Sequence, residues 1–226
     1  MAPAALALRP HPSEHPGPPG LSLGGTLELQ WPQPDQPEPA ALNLQLQLHC
    51  PADAERPGAP LLLPAANQLG QRRDELWQHT CLECFLGAAG REAYWEINMA
   101  PNGDWNVYAL DGYRQGLRPE PSQEQLPFTC SWQQNAGGAL TLQLSLHWML
   151  PPALIDDLAM GNGRDQPAAL EWNVTAVLEQ PDGRLSYWAV GHRPEQADFH
   201  WRAAWSRALR PAAEASGAAG APPPCR

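Results

Sequence analysis

The fold of this chain is indicated by residues 77–113, which read WQHTCLECFLGAAGREAYWEINMAPNGDWNVYALDGY. Apolar and polar side chains alternate along the segment, which predicts three consecutive strands over Trp77–Leu86, Tyr94–Met99 and Trp105–Leu110. The residues Asn102-Gly103-Asp104 between the second and third strands are typical of a hairpin turn. Because successive strand residues face opposite sides of a sheet, each strand should have an apolar face and a face with polar and aromatic groups.

The polar face of these strands is a candidate ligand site. Its predicted members are Trp77, Glu83, Tyr94, Glu96 and Asn98. A ring beside carboxylate and amide groups is how a protein holds a polar, ring-shaped ligand such as a sugar. A structural interpretation stays open, in which the tryptophan packs in the core and the glutamates are solvated or paired with Arg91 or Arg114.

The same alternation extends over most of the chain. It predicts further strands near residues 27–31, 42–49, 140–148, 170–176 and 185–190, and short helices near Pro152–Met160 and Trp201–Leu209. Many strands without alternating helices predict an all-β fold, an antiparallel β-sandwich. We expect a disordered, proline-rich segment over 1–20, the sandwich over 21–210, and a flexible tail rich in alanine and proline over 211–226.

Composition excludes several classes of partner. The chain has 226 residues with 14 basic and 24 acidic side chains, a formal charge of -10 that argues against binding to nucleic acid or to an anionic membrane. Its five cysteines are an odd number, and the N-terminal residues do not resemble a signal peptide, so we expect reduced thiols and a cytoplasmic location. Cys81 and Cys84 should point to opposite faces of one strand, which argues against a redox or zinc motif. The oligomeric state is not predicted.

Four segments carry a resemblance to a known family. They are LWQHTCLECFL (76–86), AYWEINMAPNGDWNVYALDGYR (93–114), SYW (186–188) and DFH (198–200). With them, about residues 22–208 resemble the bacterial DOMON-like proteins related to family 9 carbohydrate-binding modules. The resemblance implies a β-sandwich of jelly-roll type, and relatives that bind sugars or haem.

The resemblance also implies roles for particular residues. An aromatic residue precedes an acidic one by six positions in the sugar-binding modules, as Trp77 precedes Glu83 here, and Glu96 with Asn98 matches a polar pair on the next strand. A second aromatic residue late in the chain closes over the sugar, for which Trp188 is the first candidate and Tyr187 the next. Where sugar modules often carry paired acidic residues, this chain has His79-Thr80-Cys81.

The predicted function is non-catalytic binding of a carbohydrate-like small molecule, without a metal or cofactor. One alternative is haem binding in electron transfer, with Met99, His147 and Met149 as candidate iron ligands. Another is a protein-interaction module that uses the same sheet face. Two carboxylates on neighbouring strands would also suit a glycosidase, for which their separation would be decisive.

Overall fold

The computed structural model describes residues 3–32, 38–53, 58–64, 70–161 and 167–209. Within these ranges the chain forms twelve strands, one α-helix and two short 3₁₀ turns, Leu76–Gln78 and Arg202–Ala204. The elements are β1 (Ala4–Pro10), β2 (Ser22–Gln30), β3 (Ala41–Cys50), β4 (Cys81–Ala88), β5 (Tyr94–Met99), β6 (Trp105–Leu110), β7 (Arg118–Pro119), β8 (Phe128–Gln134), β9 (Leu140–Met149), α1 (Pro152–Met160), β10 (Leu170–Glu179), β11 (Leu185–Ala189) and β12 (Ser206–Leu209). No helix in these ranges is long and apolar enough to cross a membrane.

The strands form two antiparallel sheets joined through β1. The first sheet has the order β1-β2-β3-β9-β8, and the second has the order β7-β6-β5-β4-β10-β11, with β12 also paired to β10. Ala4–Leu8 pair with β2, whereas Arg9 and Pro10 pair with β11, so the N-terminal strand passes from one sheet to the other. The predicted antiparallel, all-β sandwich is confirmed.

One apolar core lies between the sheets. The strictly alternating leucines of β3 and β9 are buried in it, and the leucines of β3 are at most 3% exposed. Leucine is a weak strand former, and the alternation overrides that propensity because it gives each strand one face that can be buried.

The second sheet is unusual because β4, β5 and β6 are buried on both faces. A second, mainly aromatic cluster lies on its outer face. The members of this cluster are Phe85, Tyr94, Tyr108, Leu110 and Trp205. Trp77 and Phe199 pack against this cluster and are themselves only partly buried. The outer face of the second sheet is therefore an interior surface that loops enclose.

Three local predictions differ from the structure. Residues 1–20 were expected to be disordered, but Ala4–Pro10 form β1, because the backbone pairs with two strands and Leu6 and Leu8 enter the core. The predicted helix over Trp201–Leu209 is replaced by a 3₁₀ turn and β12, whose backbone pairs with β10. Trp77 lies in a 3₁₀ turn, and its strand begins four residues later at Cys81. The helix predicted over Pro152–Met160 is confirmed as α1, and the predicted tail 211–226 lies outside the described residues.

Candidate ligand-binding pocket

A cavity of about 360 Å³ lies on the outer face of the second sheet. Its floor comes from five neighbouring strands, which contribute Glu83, Phe85, Glu96, Leu110, Val177 and Tyr187. Its walls come from the 3₁₀ turn before β4, the loop after β6 and the loop after β11, which contribute Trp77, Arg114, Leu117, Ala197, Phe199 and His200. The pocket therefore combines rigid strand residues below with loop residues at its sides.

Strand register brings the two glutamates together on the floor. Glu83 and Phe85 share one face of β4 because they are two residues apart. Phe85 stands opposite Glu96 on β5, and Glu83 stands opposite Asn98, so the glutamates are diagonal neighbours across one strand pair. On its other side, Glu83 faces Thr175 of β10.

Each glutamate has one oxygen atom that is hydrogen-bonded and one that is not. Glu83 Oε2 accepts a hydrogen bond from Thr175 Oγ1 at 3.0 Å, and Glu96 Oε1 accepts one from Asn98 Nδ2 at 2.8 Å. Among the residues that the structure describes, Glu83 Oε1 and Glu96 Oε2 have no hydrogen-bond partner, although the two residues are only 2% and 4% exposed. His200 Nε2 approaches Glu96 Oε2 to 3.9 Å, which is too long for a hydrogen bond. Buried polar atoms without partners are uncommon. Among the described residues there are five, and these two oxygen atoms are the ones whose side chains line the cavity.

The environment holds protons on this carboxyl pair. Burial, and then the charge of Glu96, raise the pKa of Glu83 to about 8, although the Thr175 hydrogen bond lowers it in part. Burial raises the pKa of Glu96 to about 7, against the lowering effects of the Asn98 hydrogen bond and of Arg114. Near neutral pH the pair therefore keeps at least one proton, so that it can both donate and accept hydrogen bonds.

His200 extends the polar part of the wall without adding charge. Burial, together with the nearby Arg114, lowers the pKa of His200 to about 4, so its ring is neutral near pH 7. Its Nδ1 atom lies 2.7 Å from Tyr94 Oη. The ring also packs edge-on against Phe85, with 5.1 Å between centroids.

Asp198 joins the two wall loops. Its carboxylate accepts hydrogen bonds from Tyr113 Oη at 2.5 Å and from Arg114 Nη2 at 3.0 Å, and Arg193 Nη1 lies 3.6 Å away. Although burial alone would raise the pKa of Asp198, the hydrogen bonds from Tyr113 and Arg114 lower it below its ordinary value of 3.8. Arg114 has a left-handed backbone, with φ of 53°, and its amide donates to Tyr94 Oη at 3.2 Å. The guanidinium of Arg114 is thus engaged by Asp198, at the rim of the pocket.

The structure brings together three of the six predicted site residues. Trp77, Glu83 and Glu96 line the cavity, and the tryptophan ring packs edge-on against Tyr108 with 5.8 Å between centroids. Tyr94 and Asn98 are completely buried and act through their neighbours, since Tyr94 contacts His200 and Asn98 donates to Glu96.

Trp188 does not join the pocket. It is 4% exposed in the core between the sheets, and its Nε1 atom donates to Ser186 Oγ at 3.0 Å. Strand alternation explains the difference, because the preceding residue, Tyr187, faces the pocket when Trp188 faces the core. The resemblance ranks these two residues in the opposite order, with Trp188 first and Tyr187 second.

Sequence reasoning also missed most of the walls. Leu117, Ala197 and Phe199 are ordinary loop residues that reach the pocket only because their loops fold over the sheet. The segment DFH (198–200) was part of the resemblance, and it supplies both Asp198, which joins the loops, and two residues of the wall. The roles of these residues depend on long-range contacts that no local pattern encodes.

The residues named for haem do not share one site, because Met99 is separated from the other two. Met99 is completely buried in the core between the sheets. His147 lies on the outer face of the first sheet, with Nδ1 2.7 Å from Asn43 Oδ1, and Met149 is 37% exposed on the same strand face. These three side chains therefore do not converge on a common point.

No cysteine of the described ranges is among the residues that line the pocket. The four cysteines in the described ranges, Cys50, Cys81, Cys84 and Cys130, are free. Cys84 packs in the core, which fits its predicted orientation opposite to Cys81. In the same ranges no group of three or more His, Cys, Asp or Glu side chains is placed to hold a metal ion.

Similar folds occur in solved structures. A Bacteroides uniformis protein, provisionally named as carbohydrate-binding, matches 88% of this chain and 84% of its own length, with a TM-score of 0.51 and 11% identity. A family 9 carbohydrate-binding module from Caldicellulosiruptor kristjanssonii in complex with cellotriose covers 99% and 89% of the two chains, with a TM-score of 0.41 and 11% identity. The glucose complex of a family 9 module from the same organism covers 89% and 82%, with a TM-score of 0.40 and 10% identity. No protein-family model and no curated protein matches the sequence. At such low identity the likeness to the Bacteroides protein shows the fold alone, a β-sandwich.

Proposed function

We propose that this domain binds a small saccharide, without catalysis, in the pocket over Glu83 and Glu96. The observation that carries the proposal is the pair of buried carboxyl oxygens that line the cavity without hydrogen-bond partners among the described residues. Saccharide hydroxyls both donate and accept hydrogen bonds, as does a carboxyl pair that shares protons. A bound sugar would satisfy the two oxygen atoms that the protein itself leaves unsatisfied.

The other features of the pocket suit the same ligand. Its volume of about 360 Å³ is within the usual range for small-molecule sites. Trp77 is half-buried and offers a ring for stacking, and Tyr187 lies on the floor. Asn98 would act by holding the Glu96 carboxyl in place. For a small saccharide in this pocket we expect affinities in the micromolar to millimolar range, roughly -8 to -4 kcal/mol.

The raised pKa values of the two glutamates bear on the charge of the ligand. Burial raises the pKa of Glu83 to about 8 and that of Glu96 to about 7, so at neutral pH the pair holds protons and can both donate and accept hydrogen bonds. The pair is suited to hydrogen bonding with a neutral or positively charged ligand.

The proposal draws further support from the resemblance and the comparison. The Bacteroides protein with a similar fold is named for carbohydrate binding. We include in the proposal a relationship to the bacterial DOMON-like proteins and a cytoplasmic location, with which four free thiols are consistent.

Isothermal titration calorimetry tests the function directly. The ligands are glucose, galactose and their β-1,4-linked di- and trisaccharides, and the variant is Trp77→Ala. We expect saturable heat for at least one saccharide and a loss of at least ~10-fold in affinity in the variant, because the stacking surface is removed. Trp132→Ala is the matched control, since this half-buried tryptophan lies on β8 of the other sheet. Absence of binding by every saccharide, the amino sugar glucosamine included, or unchanged affinity in Trp77→Ala, would disprove the proposal.

A further inference from the structure

The pocket contains two acidic side chains but no cation at hydrogen-bond distance from them in the described part of the chain. Among the described residues, the groups that donate hydrogen bonds to Glu83 and Glu96 are the neutral Thr175 hydroxyl and Asn98 amide. Arg114 is the cation on the pocket wall, and its guanidinium is directed to Asp198 at 3.0 Å. Among the described residues the acidic pair therefore has no cation in hydrogen-bond contact, and Arg114, whose charge lowers the pKa of Glu96 in part, is paired with Asp198 instead.

The other titratable groups around the pair do not supply that charge. Burial raises the pKa of Cys81 on β4, Tyr94 on β5, Tyr108 on β6 and Tyr187 on β11, so these groups are neutral near pH 7. His200 is neutral as well, because burial lowers its pKa to about 4. At the rim, the charges of Arg114 and Arg193 face Asp198, and Asp74 accepts a hydrogen bond from Tyr108 Oη at 2.6 Å.

Aromatic rings surround the same space. Trp77, Phe85, Tyr187 and Phe199 all line the cavity. The face of an aromatic ring carries partial negative charge and attracts cations, most strongly where water is excluded. Carboxyl oxygens without partners inside an aromatic enclosure form a setting that stabilises a positively charged group.

We infer that the pocket selects a saccharide that carries a protonated amino group, with the ammonium bound between Glu83 Oε1 and Glu96 Oε2. This inference rests on the saccharide function proposed above and specifies the class of sugar. The ammonium donates hydrogen bonds to the two oxygen atoms that lack partners, while the aromatic rings contact the sugar and the cation. On binding, the carboxyl pair loses to solvent the proton that it holds in the free protein, so one bound cation replaces one bound proton.

Calorimetry with three related sugars tests this selectivity. The ligands are glucosamine, glucose and N-acetylglucosamine, the last of which has the nitrogen without its charge. At pH 7 we expect glucosamine to bind at least ~10-fold more tightly than either neutral sugar. Titrations in phosphate and in MOPS, which differ in ionisation enthalpy, should show release of about one proton for each glucosamine bound.

Variants of the glutamates locate the cation. In Glu83→Gln the preference for glucosamine over glucose should fall to less than about twofold, because one charge is removed while the shape is kept. Glu96→Gln provides a second, independent test, and circular dichroism establishes that each variant is folded. Glu124→Gln is the matched control, because Glu124 is exposed and does not line the pocket.

The possible results separate the inference from the function on which it rests. Equal affinity for glucose and glucosamine, or equal affinity for N-acetylglucosamine and glucosamine, overturns the inference and leaves saccharide binding in place. A preference for glucosamine that survives in both glutamine variants also overturns it, since the cation then lies elsewhere. If none of the three sugars binds and the saccharides named above do not bind either, both proposals fail.

Discussion

Replacement of Glu83 by glutamine should stabilise the protein, and increasingly so as the pH rises. Glu83 is 2% exposed, and burial followed by the charge of Glu96 raises its pKa from an ordinary value of 4.5 to about 8. A carboxyl group whose pKa is higher in the folded protein than in the unfolded chain stabilises the folded state. This contribution is complete below pH 4.5, the ordinary pKa, and is lost as the pH rises through about 8, the pKa in the folded protein. Glutamine has nearly the same shape and does not ionise, so it avoids this loss.

The magnitude follows from the difference between the two pKa values. At ~1.4 kcal/mol per pH unit, the range from 4.5 to about 8 corresponds to a maximum of about 5 kcal/mol. Most of this loss falls between pH 5 and pH 8, where the unfolding free energies of wild type and Glu83→Gln should diverge by about 3 kcal/mol. The coupling to Glu96 will share the effect between the two residues, so the divergence belongs to the pair.

Urea denaturation, followed by circular dichroism at pH 5, 6, 7 and 8, measures the divergence. Glu124→Gln, the same substitution at an exposed glutamate that does not line the pocket, is the matched control. A difference between wild type and Glu83→Gln that does not change with pH would show that Glu83 titrates normally. The reasoning about the buried pair would then be refuted.

Two further predictions concern residues outside the carboxyl pair. Trp188→Ala should lower the free energy of unfolding, measured by urea denaturation, by about 3–5 kcal/mol, because a large side chain that is 4% exposed is removed from the core. The saccharide affinity of the folded variant, measured by calorimetry, should change by less than about threefold. Asp198→Asn should lower the free energy of unfolding at pH 7 by about 1–3 kcal/mol, because Arg114 and Arg193 lose a buried acceptor. Since the pKa of Asp198 lies below 3.8, the difference in unfolding free energy should persist at moderately acid pH and shrink only as the pH falls through this lowered pKa. Urea denaturation at a series of acid pH values measures this dependence.

Much of the fold could be predicted because strand alternation is a local property. Alternating leucines identify β3 and β9, and a turn at Gly103 between two alternating segments identifies β5 and β6. None of these signals depends on any other part of the chain. The elements that were missed have weak local signals. β1 lies in a segment rich in proline, and β12 follows a 3₁₀ turn that resembles the start of a helix.

The site was partly predictable for the same reason. Glu83, Glu96 and Asn98 could be assigned to one face, because alternation along a strand determines which residues share a side. Trp188 and Tyr187 could not be distinguished, because a shift of one residue in the inferred alternation exchanges the two faces. Only the pairing of β11 with β10 places Tyr187 in the pocket and Trp188 in the core.

By itself, therefore, the sequence determined the class of fold, the acidic character of the chain and the candidate carboxyl pair, all of which follow from composition and from the period of two along each strand. The tertiary structure alone decided that the outer face of the second sheet is enclosed, because Phe199, His200 and Arg114 come from distant loops joined through Asp198. It also decided the protonation of Glu83 and Glu96, since burial that raises a pKa is a property of everything packed around the group. Contacts between residues far apart in the chain create this environment, and no local pattern of the sequence contains them.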